Sequence, residues 1–270
     1  MTESKGIMPE IMGGKRGLIM GVANERSIAW GIAKGLADHG AELAFTYQGE
    51  AFQKRLEPLA ASVGSDIVLP CDVEEDGDLQ AVFDRLTTDW GSLDFVVHSL
   101  AYSDKDELNG RYVDTTAENF ARTMSISCFS FTAVAQAAYP LMKEKGGSMI
   151  TLTYFGAERV LPNYNVMGVA KAALEASVRY LAADLGPDGI RVNAVSAGPM
   201  RTLAGSAIGG ARKIYNISEA NAPLRRSVTL EQLSGTAVYL LSDLGSGVTG
   251  ETHHVDSGYN IVGMPYLTGE

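Results

Sequence analysis

Only two cysteines stand in 270 residues, Cys71 and Cys128, 57 positions apart and outside any Cys-x-x-Cys pair. So few and so distant thiols build neither a disulfide framework nor a zinc site. Each reads first as a small buried apolar residue. Positive charge is also scarce, with 22 Lys and Arg against 32 Asp and Glu and a formal net charge of −10. A general nucleic-acid binder needs a surplus of cations to neutralise phosphates, so that class is excluded. No apolar run approaches the roughly 20 residues that cross a bilayer. Residues 1–15 also lack the continuous apolar stretch of a secretory leader. A cytoplasmic chain without a membrane partner is expected. The four histidines, His39, His98, His253 and His254, form no metal-ligand spacing. They are expected at caps, in the core or at interfaces, and no metal site is expected.

What is present is a regular alternation. Short runs rich in β-branched and aromatic residues at 17–22, 42–47, 67–69, 95–100, 149–155, 191–196 and 252–256 read as strands. Most are apolar on successive positions, as when helices cover both faces of a parallel sheet. Helical stretches fall between them, at about 28–39, 51–61, 79–90, 117–139, 164–185 and 230–242. This order predicts an α/β fold, a single-domain Rossmann-like doubly wound parallel sheet of about seven strands with helices on both faces. No linker or shift of composition marks a second domain, so residues 1–270 are expected to form one dinucleotide-binding and catalytic unit. The least regular stretch, 203–218, is glycine-rich and then basic. It reads equally as a substrate-binding loop or as a long surface loop.

In such sheets the ligand lies beyond the carboxyl ends of the strands, so the first strand-to-helix turn is informative. It runs Gly21-Val22-Ala23-Asn24-Glu25-Arg26-Ser27-Ile28-Ala29-Trp30-Gly31 and lacks a strict G-x-G-x-x-G. Gly21 permits a tight turn. Ser27 stands at an N-cap position, where it and the free amides of the helix start suit a pyrophosphate. Gly31 and Gly35, four apart, are expected to let the helix lie close against the sheet, and Gly40 to close it. A glycine-tolerant helix in an unrelated α/β fold is the competing reading. The second strand ends at Tyr47-Gln48-Gly49-Glu50 with no nearby base for a 2′-phosphate, which favours NADH over NADPH. Asp72, closing the third strand, suits an adenine amino group or simply a solvated turn.

Tyr164 and Lys171 are seven apart, two turns of one helix face. A phenol that donates at neutral pH beside a lysine suits a reduction that places charge on a substrate oxygen. A boundary tyrosine with a solvated lysine is the plain alternative. The turn G-x5-S-x-A-x-G, the Y-x6-K pair, the block YFGAERVLPNYNVMGVAK and the stretch AGPMRTLA occur in this order. Together they resemble the NADH-dependent enoyl-acyl-carrier-protein reductases of bacterial type II fatty acid synthesis. That family is a divergent branch of the short-chain dehydrogenase/reductases. The resemblance runs from about residue 14 to 261. Ordinary members of the wider family carry Y-x3-K, and here Gly168 sits where that lysine would be.

The resemblance implies reduction of a trans-2-enoyl thioester, with hydride to the β-carbon and an enolate stabilised by Tyr164. Tyr154 is implied as a second active-site tyrosine and Lys171 as the ribose-holding lysine. Gly21, Ser27, Ile28, Gln48, Asp72, Val73, Leu100, Lys171, Met200, Arg201, Thr202, Leu203 and Ala204 match its NAD contacts. Ser103 falls where the family contacts substrate, commonly with alanine, and Ala101 replaces a frequent glycine. The extra methyl of Ala101 is expected to weaken binding of diphenyl-ether inhibitors. A homotetramer is implied, as is an acyl carrier protein partner. Arg212 and Lys213 match positions for carrier docking, although a solvated pair is an equal reading; Arg225 and Arg226 are weaker candidates. Two other readings stand beside this one. The first is a ketone reductase of the wider family, against which the missing Y-x3-K counts. The second is a non-catalytic dinucleotide-binding regulator, against which the retained Tyr154, Tyr164 and Lys171 count.

Overall fold

Seven parallel strands form one sheet in the order β3-β2-β1-β4-β5-β6-β7. They are β1 (Arg16–Met20), β2 (Glu42–Tyr47), β3 (Ile67–Pro70), β4 (Phe95–His98), β5 (Gly147–Thr153), β6 (Ile190–Ala197) and β7 (Thr252–Val255). The computed structural model describes residues 10–206 and 209–264. Most of the stretch weighed as a leader, both ends of the expected 1–270 unit and two positions of 203–218 lie outside the described residues.

The strands earn their place by being apolar on both faces: β4 is buried throughout, and β5 is buried after its first residue. One face is covered by α1 (Ile28–Asp38), α2 (Glu50–Ser62) and α10 (Leu230–Leu241), packed around Phe45, Phe95 and Ile150. The other is covered by α3 (Asp78–Trp90), α6 (Ser130–Met142) and α7 (Asn165–Leu185), packed around Leu18, Val96 and Met149. Between β4 and α6 lie α4 (Lys105–Leu108) and α5 (Ala117–Met124), and between β6 and α10 lie α8 (Leu203–Ser206) and α9 (Ala211–Asn221).

Three expectations are corrected. Gly31 and Gly35 do not face the sheet; they face α10, where a Cβ would meet the Leu230 and Ser234 side chains. Their role is close helix–helix approach. The single helix expected over 117–139 is interrupted by one wide turn, Ser125–Phe129, with i→i+5 geometry. The Ser130 hydroxyl donates to the Ile126 carbonyl there at 2.6 Å. The described residues of 203–218 are largely helical, because α8 and most of α9 lie in the stretch. Beyond the Gly209-Gly210 break, the run Ala-Arg-Lys-Ile-Tyr has ample helix propensity.

Strand order reverses direction between β1 and β4, and a crevice opens there beyond the strand ends.

Candidate active site

A cleft of about 620 Å³ occupies that crevice. Its floor begins where β1 stops. Gly21 has φ +94°, and a Cβ on it would collide with the Ser99 carbonyl, so only glycine lets β1 and β4 converge here. Gly21, Ile28, Gln48, Leu100, Lys171, Met200, Thr202 and Leu203 line the cleft, as do Tyr154, Tyr164, Ala101 and Ser103. Ser27, Asp72, Val73 and Arg201 are not among its lining residues. Ala204 belongs to α8.

Ser27 does not cap α1 with its side chain. Its hydroxyl oxygen instead accepts the N–H groups of Ala23 (3.0 Å) and Asn24 (3.1 Å), holding the turn. The first amides of α1 therefore receive no side-chain cap and sit beside Ile28 at the cleft wall, a donor set that fits a pyrophosphate. At the far end, Gln48 Nε2 donates to Asp72 at 2.7 Å. The other Asp72 oxygen accepts the Glu74 N–H at 3.0 Å. The acids around it are already engaged: Glu74 pairs with Arg122 at 2.7 Å, and Asp78 accepts the Asp72 N–H at 2.8 Å.

The β5–α7 end is dry. Tyr164 takes the N-cap position of α7 and is 7% exposed. Its ring meets Tyr154 edge-to-face, with centroids 5.3 Å apart and planes at 79°. It also lies on Gly156, where any Cβ would strike it. Gly168 serves the same contact: a Cβ there would stand 2.8 Å from the Gly156 carbonyl oxygen. The position that holds a lysine in ordinary short-chain dehydrogenases is thus given over here to packing. Burial pushes the phenols of Tyr154 and Tyr164 well above the usual tyrosine range, so both remain protonated donors at neutral pH.

Lys171 follows two turns later, 5% exposed, and its Nζ donates to the Leu152 carbonyl at 2.8 Å. Burial pulls its ammonium down to about 8, opposed by the nearby Cys128 and Glu175. Sequence reading missed Glu175, although it is i+4 from Lys171 on the same face. It is 8% exposed and accepts the Thr153 hydroxyl at 2.7 Å. Burial raises its carboxyl.

His98 lies in the core beneath, fully enclosed, with Nε2 2.8 Å from Ser130 Oγ and Nδ1 2.9 Å from Thr151 Oγ1. Because Ser130 spends its proton on Ile126, Nε2 carries the ring hydrogen and Nδ1 accepts from Thr151. Burial, aided by the Lys171 charge, lowers His98 to about 3, so the ring is neutral. His39 caps α1 through Gly35 at 2.7 Å, and His254 faces Glu158 at 2.6 Å. Among the described residues, no group of three His, Cys, Asp or Glu is arranged to hold a metal ion. No helix among them is long and apolar enough to cross a membrane.

Ser103 lines the cleft, but its hydroxyl is engaged away from it, accepting from Thr123 (2.9 Å) and the Asn119 amide (3.3 Å). Arg212 and Lys213 are exposed in the first turn of α9. Arg225 Nη1 instead donates to the carbonyls of Ala220 and Ala222, both at 3.1 Å, at the end of that helix.

Known proteins resemble this arrangement along nearly its whole length. The family model described as "Enoyl-(Acyl carrier protein) reductase" matches residues 21–260. An "Enoyl-[acyl-carrier-protein] reductase [NADH] 2" of Rhizobium meliloti is 66% identical over 260 residues, covering 96% of this chain and 97% of that protein. The crystal structure of FabI from Candidatus Liberibacter asiaticus superposes with a TM-score of 0.94 at 57% identity, over 96% of this chain and 100% of that one. The enoyl-(acyl-carrier-protein) reductase of Anaplasma phagocytophilum, solved in complex with NAD, gives 0.93 at 57% identity over 96% and 99%.

Proposed function

The chain belongs to the enoyl-acyl-carrier-protein reductase family, and from that premise we propose how its cleft reduces the trans-2 double bond of enoyl thioesters with NADH. The observation that carries the proposal is the buried Tyr154–Tyr164–Lys171 group at the β5–α7 end of the cleft. The reaction closes a round of fatty acid elongation on acyl carrier protein.

NADH, when bound, supplies the hydride that goes to the β-carbon. As it arrives, electron density collects on the thioester oxygen as an enolate, which collapses to the saturated thioester when the α-carbon takes up a proton. Tyr164 donates a hydrogen bond to that oxygen, and the bond strengthens as the charge grows, which lowers the barrier selectively. Burial serves this twice: it keeps the phenol protonated, and it excludes the water that would screen the interaction. Lys171, charged at neutral pH, holds the nicotinamide ribose hydroxyls, its ammonium positioned by the hydrogen bond it donates to the Leu152 carbonyl. Tyr154, edge-on to Tyr164, sets the ring plane and stands in reach of the same region. Gly21, Ile28 and the first amides of α1 hold the pyrophosphate, and Ser27 does so through the turn it braces. Gln48, Asp72 and Val73 form the adenosine end, with Leu100 and the 200–204 stretch closing the remaining walls. Ser103 contacts substrate through its backbone, since its hydroxyl is turned inward.

The 203–218 segment contributes the acyl-chain wall through Leu203 and Ile214. Arg212 and Lys213 dock the acidic carrier protein: they are exposed at the positive end of α9, a local cationic patch in a chain of net charge −10. Arg225 is spent on α9 carbonyls and is the poorer candidate. Each chain forms one dinucleotide-binding and catalytic unit, and the protein works as a cytoplasmic homotetramer.

The test follows NADH absorbance with a trans-2-enoyl thioester, then with NADPH and with a panel of ketones. Oxidation that requires the enoyl thioester and runs faster with NADH is the expected result. A response to ketones alone rejects the substrate assignment.

A further inference from the structure

Tyr164 is flanked on both sides by residues in a conformation that side chains rarely adopt. Asn163 has φ +59° and Asn165 has φ +37°, while Tyr164 between them is at −113°. Asparagine tolerates this region better than most residues, but tolerance alone does not explain two at one turn. Each spends its side-chain amide on a different wall of the cleft. Asn163 Nδ2 donates to the Gly209 carbonyl at 2.7 Å. Asn165 Nδ2 donates to the carbonyls of Glu107 (3.2 Å) and Gly110 (3.4 Å). Gly209 joins α8 to α9, whose Leu203, Gly205, Ile214 and Tyr215 line the cleft. Glu107 belongs to α4, whose Lys105 and Leu108 also line the cleft. Gly209 is itself fitted to this contact, because a Cβ there would run into Asn109 and approach the Asn163 amide.

We propose that Asn163 and Asn165 are positioning residues that clamp the two substrate walls to the backbone carrying Tyr164, so that the acyl wall and the phenol move as one unit. The inference rests on the reductase reading for its kinetic consequence, although the clamp itself does not need it. Substrate that seats against α8–α9 pulls through Asn163 on the turn that aims the tyrosine. Loss of that link leaves the phenol intact and the wall unregistered, so apparent substrate affinity suffers more than cofactor binding.

Glycine separates the two roles of these asparagines, since it accepts positive φ without strain and carries no amide. Asn163→Gly is expected to raise KM for a long-chain enoyl thioester by about three- to tenfold, the size of one net hydrogen bond, with a smaller change in kcat. NADH affinity and thermal midpoint are expected to stay near wild type. Asn163→Asp, equally tolerant of the backbone but an acceptor facing a carbonyl, should do at least as much harm. Hydrogen exchange on the ligand-free protein provides the second readout: amides of 209–221 should exchange faster in Asn163→Gly, and those of 105–110 faster in Asn165→Gly, with the sheet unchanged. Unaltered exchange in both segments overturns the clamp. So does a uniform loss of kcat, KM and thermal midpoint together, which would mark the asparagines as merely structural. Should the wild type fail to oxidise NADH with enoyl thioesters, the functional reading falls, and the exchange data still decide the clamp.

Discussion

The two ends of the cleft differ in how deeply they bury their polar groups. At the β5–α7 end the phenol of Tyr164, the ammonium of Lys171 and the carboxyl of Glu175 are 7%, 5% and 8% exposed, and burial displaces all three from their ordinary titration ranges. At the β2–β3 end Gln48 and Asp72 form a 2.7 Å hydrogen bond at the surface. A group that stabilises developing charge gains from a dry setting, where each hydrogen bond is electrostatically stronger. A group that only recognises hydroxyls gains from staying wet, where neither its own desolvation nor its partner's is costly. The contrast implies unequal consequences when single groups are removed.

The largest effect belongs to Tyr164→Phe. Turnover is expected to fall by about 10²–10³, the usual loss for one oxyanion donor, while the NADH dissociation constant stays nearly constant. Steady-state kinetics with a fluorescence titration of NADH checks both, and unchanged turnover would remove Tyr164 from the chemistry. Next comes Lys171→Ala, expected to weaken NADH binding by about ten- to a hundredfold, as for loss of a charged donor. A normal dissociation constant would contradict its role. Because burial lowers Lys171 to about 8, the ammonium is present below that pH and lost above it. NADH affinity should therefore weaken as pH rises through about 8, and this limb should vanish in Lys171→Ala.

Asp72→Asn sharpens the comparison from the wet end. Its expected cost in NADH affinity is only about two- to threefold, because exposed polar pairs contribute little. A loss as large as that of Lys171→Ala would erase the distinction between the two ends. The smallest effect on turnover is expected from His98→Gln, which changes acid stability instead. Above about pH 6.5 the ring is neutral in both folded and unfolded chains. Between there and about 3 only the unfolded chain takes the proton, so stability falls as pH drops through that window. Urea midpoints measured from pH 7 to 4 should decline less steeply in the variant.

The sheet was legible because its strands are apolar on successive positions, a pattern that parallel burial alone requires. Helical spacing puts Tyr164 and Lys171 on one face but does not tell a site from a boundary tyrosine and a solvated lysine; the resemblance carried by the block around them singled the pair out. What the chain order hides is partnership across it. Gly31 and Gly35 announce close packing but not against what, and α10, some 200 residues on, is the answer. Asn163 and Asn165 look like turn residues until their amides are seen reaching Gly209 and Glu107. The wide turn at Ser125–Phe129 sits where Ser130 meets His98 of β4, a contact between segments that no local periodicity records. Segment 203–218 misled through its glycines, which punctuate two helices rather than dissolve them.

One measurement bears most directly on the account: the rate of NADH oxidation by wild type and Tyr164→Phe with a trans-2-enoyl thioester at saturating cofactor. A wild-type rate that depends on the enoyl thioester and collapses in the variant, with NADH binding intact in both, is the predicted result. Equal rates in the two proteins would contradict it.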